Sequence, residues 1–104
     1  MAREKLVRDR IPDLIRSSGQ TPVVRTALKE ELDHLLRLKV LEEAEELFSS
    51  GSNEELADIV EAVLQLAKTR GISREQLDLI VAKKRADRGG FEMGYVLTLP
   101  TEED

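Results

Sequence analysis

Two apolar runs of helical period, joined by a short polar turn, constrain this chain more than any other feature. Leu28, Leu32, Leu35, Leu36, Val40, Ala44 and Leu47 recur at steps of mostly three or four residues. Leu56, Ile59, Val60, Val63, Leu64 and Ala67 recur in the same helical pattern of i, i+3 and i+4 partners, with Leu66 beside them. Such steps put side chains on one face of an α-helix. Ser49-Ser50-Gly51-Ser52-Asn53 between them is a turn sequence, so helices expected over 27–48 and 54–70 must fold back on each other as an antiparallel pair.

The flanking segments supply smaller elements. Ile11-Pro12-Asp13-Leu14-Ile15-Arg16 reads as a short helix with proline in its first turn, stopped at Ser17-Ser18-Gly19. Ser73 can cap a further helix, with Leu77, Ile80 and Val81 apolar, Lys83, Lys84, Arg85 and Arg88 in its last turn, and Gly89-Gly90 ending it. The β-branched run at 22–25 and the run at 95–99 read as short strands that pair. Aromatic residues are only 3% of the chain, so the core must be aliphatic. The expectation is one all-α domain over residues 1–104: an antiparallel bundle of about four helices, completed by oligomerisation, with short β-strands near 22–25 and 95–99 and a disordered tail at 100–104. Phe48 and Phe91 are expected in the core, and His34 at a surface or interface.

Composition narrows the partners. The net charge of −5 argues against a broad basic surface for nucleic acid. No cysteine is present, which excludes disulfides and thiolate metal sites and suits a reducing compartment. No stretch approaches the roughly 18 apolar residues of a membrane span, and the polar, basic N-terminus has no leader-like apolar run. A cytoplasmic protein is expected.

Chemistry concentrates in the two central helices. Glu42, Glu43, Glu45 and Glu46 crowd the C-terminal part of the first, where the helix dipole disfavours negative charge. A solvated acidic face is the plain alternative. However, Leu32, Leu36, Lys39, Glu43 and Glu46 share one stripe, which carries Glu43 and Glu46 towards the interior. Carboxylates there require a cation, because a buried charge without a partner is very costly. Glu55 and Asp58 lie one turn apart on the second helix and would face them across the hairpin. Glu55 also fits a capping box with Ser52, which would occupy its carboxylate; Asp58 has no such alternative role. An all-oxygen ligand set without His or Cys selects Mg²⁺, with Mn²⁺ as a substitute, and four carboxylates suffice for one ion or two.

The acidic pattern Glu42-Glu43-Ala44-Glu45-Glu46 followed by Glu55-Leu56-Ala57-Asp58 resembles that of the MazG-like all-α nucleoside triphosphate pyrophosphohydrolases. Lys5-Leu6-Val7-Arg8-Asp9-Arg10-Ile11-Pro12 and Lys83-Lys84-Arg85-Ala86-Asp87-Arg88-Gly89-Gly90-Phe91 are similar to a bacterial, archaeal and phage subgroup of that superfamily, and the matches extend from residue 5 to 91. The resemblance implies Mg²⁺-dependent hydrolysis between the α- and β-phosphates, giving a nucleoside monophosphate and pyrophosphate, non-standard nucleotides included. It implies metal ligands at Glu43, Glu46, Glu55 and Asp58, a catalytic role for Glu42 and Glu43, and a homodimer or homotetramer. One departure is that only eight residues separate Glu46 from Glu55, fewer than in most members.

Hydrolysis of a triphosphate also calls for protein cations. Lys84 and Arg88 sit one turn apart, either complementing a helix dipole or, as the resemblance implies, contacting phosphate. Lys5 and Arg8 are the second such pair. The nearest enzymatic rival is a phosphoribosyl-ATP pyrophosphatase. A rival of another class is a non-catalytic helical dimerisation or regulatory module with a cation-binding acidic patch.

Overall fold

The computed structural model describes residues 3–100. Four α-helices follow in order: α1 (Ile11–Ser17), α2 (Leu32–Ser50), α3 (Asn53–Thr69) and α4 (Arg74–Arg88). The chain divides into two units, one running to Arg74 and the other beginning at Glu75. No helix among the described residues is long and apolar enough to cross a membrane.

In the first unit the α2/α3 hairpin carries the packing. Its turn is only Gly51 and Ser52. Gly51 takes φ 65°, ψ 15°, the left-handed conformation that glycine enters without a Cβ penalty, and its N–H closes the helix on Leu47 O at 2.8 Å. Ser52 begins α3, its Oγ accepting from Glu54 N at 3.2 Å. At the opposite end, the Arg70 guanidinium donates to both carboxylate oxygens of Asp33, at 2.6 and 3.1 Å, and so joins the close of α3 to the start of α2. That contact holds the Asp33 carboxyl below the usual range.

The buried core of the described residues is small: Leu36, Ala62 and Ala67, with the acidic side chain Glu43 among them. Leu38, Leu41 and Phe48 on α2 and Leu56 and Val60 on α3 remain exposed. Helix α1 buries no residue and packs on neither α2 nor α3. The all-α fold with four helices expected from the sequence is present; within this unit the packing of α2 on α3 makes a two-helix hairpin.

Residues 3–10 form an irregular strap tied to the hairpin by charge. Lys5 Nζ donates to Glu42 Oε1 on α2 at 3.1 Å, and Arg8 Nη2 donates to Asp58 Oδ1 on α3 at 2.7 Å. Arg25 grips Glu4 at 3.1 and 3.2 Å and Glu31 at 2.5 Å, joining strap and pre-helix loop. These contacts hold the Glu4 and Glu31 carboxyls low and raise the Arg25 guanidinium.

Three expectations are corrected. No strand forms at 22–25 or 95–99: Val23, Val24 and residues 95–97 are exposed, and Pro22 has no N–H for a ladder. A β-branched run becomes a strand only when a partner satisfies its backbone and covers one face. The helix expected from residue 27 begins instead as a single 3₁₀ turn, Lys29–Glu31, because the Glu31 carboxylate accepts from Leu28 N at 3.0 Å and fixes the entry there. Phe48 and Phe91 are exposed rather than core; His34 is exposed as expected. The tail expected at 100–104 lies, from Thr101 onward, outside the described residues.

In the second unit α4 buries no residue. Gly89 (φ 81°) closes it, donating to Arg85 O at 2.7 Å, and Arg85 pairs with Glu92 across the following turn. A Cβ on Gly90 would collide with the Arg85 guanidinium, so only glycine fits under that pair without displacement.

Candidate metal centre

The two-residue turn places the ends of α2 and α3 side by side, and carboxylates from both helices meet there. One oxygen each from Glu43, Glu55 and Asp58 lie within 4.8 Å of one another. Glu43 is 6% exposed, while Glu55 and Asp58 are half-buried. Lys39, one turn before Glu43, approaches its Oε1 at 3.2 Å. Oε2 of Glu43 and Oε2 of Glu55 are shielded from solvent and have no hydrogen-bond partner among the described residues.

Two shielded carboxylate oxygens without a donor are a deficit of positive charge, which a divalent cation would make good. The donor set is oxygen throughout, which suits Mg²⁺ or Mn²⁺ rather than Zn²⁺. Glu43, Glu55 and Asp58 fit such an ion, with Glu46 at the rim.

The strain shows in the proton affinity of Glu55. Its carboxyl is pushed up to about 7, first by enclosure, then by a proton-sharing contact with Glu43, then by the charges of Glu46, Glu43 and Asp58. Glu42 shifts the other way. Burial raises it, but the hydrogen bond from Lys5 and the nearby Lys39 together outweigh that and hold it low. Lys39 Nζ is 3.6 Å from Glu42 Oε2, so a single ammonium serves both adjacent carboxylates.

Helix periodicity brought Glu43, Glu55 and Asp58 to one place but misplaced a neighbour. Glu46, expected on the inward stripe with Glu43, is exposed and lines the mouth of the site, while Glu42, off that stripe, is half-buried. The stripe repeats every 3.5 residues while a straight helix turns every 3.6, so each heptad drifts by about 20°. Glu55 is not occupied as a cap. Ser52 Oγ takes the Glu54 N–H instead, and Ser52 N donates to Ser50 Oγ at 3.1 Å, leaving the Glu55 carboxylate to the site. Lys39 was in plain view on the stripe; a lysine four residues before a buried glutamate is the signal that marks it.

An open cleft of about 720 Å³ leads to the carboxylates, lined by Lys5, Glu42, Glu46 and Glu55 together with Arg3 at its lip. Lys5 and Arg8 thus reach the acidic cluster, as ion-pair partners of Glu42 and Asp58. Lys84 and Arg88 are exposed on α4 in the second unit, where Arg88 joins Arg85 and Phe91 around a separate cavity of about 840 Å³.

A 43-residue stretch of this chain is 56% identical to an uncharacterized protein of Mycolicibacterium smegmatis. The stretch is 41% of this chain and 44% of that protein, so the match spans less than half of either. No protein-family model matches the chain, and no solved structure matches it.

Proposed function

We propose that this protein is a Mg²⁺-dependent nucleoside triphosphate pyrophosphohydrolase that cleaves between the α- and β-phosphates and releases a nucleoside monophosphate and pyrophosphate. The observation that carries the reading is the meeting of Glu43, Glu55 and Asp58 oxygens within 4.8 Å, from two antiparallel helices. The MazG-like pattern in the sequence supports the same choice of bond.

Glu43, Glu55 and Asp58, with Glu46 at the rim, hold the ion. When bound, Mg²⁺ neutralises phosphate oxygens and polarises a coordinated water. Glu42, kept ionised by Lys5 and Lys39, accepts a hydrogen bond from the attacking water and orients it. Lys5 lines the cleft and Arg8 pairs with Asp58, and these two strap residues supply the cationic side of a phosphate site. The water oxygen bonds to phosphorus as its proton passes to the Glu42 carboxylate, the bridging P–O bond breaks, and pyrophosphate leaves with the electron pair.

A homodimer or homotetramer belongs to this reading. A hairpin that buries three apolar side chains and exposes Leu38, Leu41, Phe48, Leu56 and Val60 has more to gain from a second copy than from its own core. The test is pyrophosphate release across standard and modified triphosphates, with phosphoribosyl-ATP as one member of the panel. Release from a nucleoside triphosphate, lost in Glu43→Gln and Asp58→Asn while helix content survives, is the expected result. Turnover of phosphoribosyl-ATP alone would select the pathway-specific enzyme, and hydrolysis of nothing the non-catalytic module.

A further inference from the structure

Arg8, expected as a phosphate contact, is bound to a carboxylate of the cluster. Its Nη2 lies 2.7 Å from Asp58 Oδ1, across fifty residues of sequence. The residue is set in place by the turn that opens α1, where Ile11 N–H donates to Arg8 O at 3.0 Å. Its guanidinium is therefore delivered by a fixed backbone to one of the three carboxylates whose oxygens converge. The pair is half open to solvent, 53% exposed on the arginine and 34% on the aspartate. An ion pair that exposed is worth little and exchanges readily. Beside it, Glu43 is more than nine-tenths buried, with Oε2 lacking any donor among the described residues. Asp58 thus faces two claimants, the arginine and any cation drawn in by Glu43 and Glu55. A guanidinium that loses its carboxylate beside this cluster still needs an anion, and two oxygens of a phosphate group match its planar fork bidentately.

Resting on the cation-binding reading above, we propose that Arg8 is an exchangeable counter-ion. It and the divalent cation compete for Asp58, and the displaced guanidinium passes to the phosphates of the incoming ligand. The strap then couples loading of the ion to capture of the anion. The same residue weakens binding of the metal alone and strengthens binding of the polyphosphate.

These opposite signs are what a purely structural clamp would not give. The test uses the full chain with Mn²⁺ alone, followed by electron paramagnetic resonance, and then tripolyphosphate at saturating Mn²⁺, followed by calorimetry. Arg8→Gln is expected to bind Mn²⁺ about two- to fivefold tighter, the factor an exposed ion pair can withhold, and to bind tripolyphosphate at least about fivefold more weakly. Arg3→Gln removes the same charge from the lip of the cleft, where Arg3 pairs with no described carboxylate, and should leave Mn²⁺ affinity within about twofold. In the wild-type protein the Arg8 Nε resonance should shift on Mg²⁺ titration with the midpoint of metal binding, a readout that needs no variant. If wild type binds Mn²⁺ while Arg8→Gln lacks either change, or Arg3→Gln matches it, or the Arg8 resonance stays still, the exchange is overturned and the metal site stands. If wild type binds no Mn²⁺, both readings fall.

Discussion

Lys39 and Glu43 share one turn of α2, and their ion pair of 3.2 Å reaches only one oxygen of a carboxylate that is almost wholly buried. The second oxygen, Oε2, is left without a donor among the described residues. The carboxylate is thus compensated from within the helix at one oxygen and not at the other.

Removing the internal compensation should therefore be costly. Lys39→Met leaves Glu43 with no cation, at about 1–3 kcal/mol for a buried charged group stripped of its partner. A thermal melt should show lower stability, and saturating Mg²⁺ should restore most of it. An unchanged melting temperature would mean that Glu43 is solvated after all.

The carboxylates should contribute unequally to metal affinity. Glu43→Gln and Asp58→Asn are expected to lower Mn²⁺ affinity at least about a hundredfold, equivalent to about 2.7 kcal/mol. Glu46→Gln, an exposed residue at the rim, should cost less than about tenfold. Equal losses at all three positions would contradict this ranking.

Glu55 sets the pH dependence. Its folded value of about 7 lies above the ordinary 4.5, so the folded state holds a proton that the unfolded state has released. The stability it contributes is complete below about pH 4.5 and is lost as the pH rises through 7. In EDTA, the melting temperature should fall from pH 5 to pH 8, and Glu55→Gln should flatten that slope. Saturating Mg²⁺ binds the ionised carboxylate and should also abolish the slope, with proton release on binding below pH 7. A rising melting temperature in EDTA, with the slope unaltered by Glu55→Gln, would refute the assignment.

The turn makes a separate prediction. Nothing lies within 4 Å of a Cβ built on Gly51, so Gly51→Ala carries only the conformational cost of φ 65°. That cost is about 1–2 kcal/mol, visible as a lower denaturant midpoint with unchanged slope.

The hairpin was legible because local rules agree there. The apolar periodicity of α2 and α3, the glycine at the turn and the serine after it all point to two antiparallel helices, and the carboxylates on each follow from helix geometry. What was not legible depends on contacts between distant segments. Whether Val23 and Val24 form a strand is decided by a partner that the run itself cannot specify. Which oxygen Arg8 reaches is set by the path of the strap over the hairpin, not by any spacing. Glu46 was misread because a 3.5-residue stripe was carried one turn too far along a 3.6-residue helix.

The Asp33–Arg70 bridge joins the hairpin at the end remote from its turn, and the carboxylates sit close to that turn. Measured along α2, the bridge lies about 27 Å from Gly51 and Glu43 about 12 Å, at about 1.5 Å per residue. The hairpin is consequently a pair of tweezers with its hinge beside the jaws, and splaying of the tips reaches the carboxylates at less than half its size. The difference of about 0.3 Å between Mg²⁺–oxygen and Ca²⁺–oxygen distances corresponds to about 0.7 Å at the bridge. On the metal-binding reading, a substitution at Arg70, far from the carboxylates, is expected to shift which ion they accept.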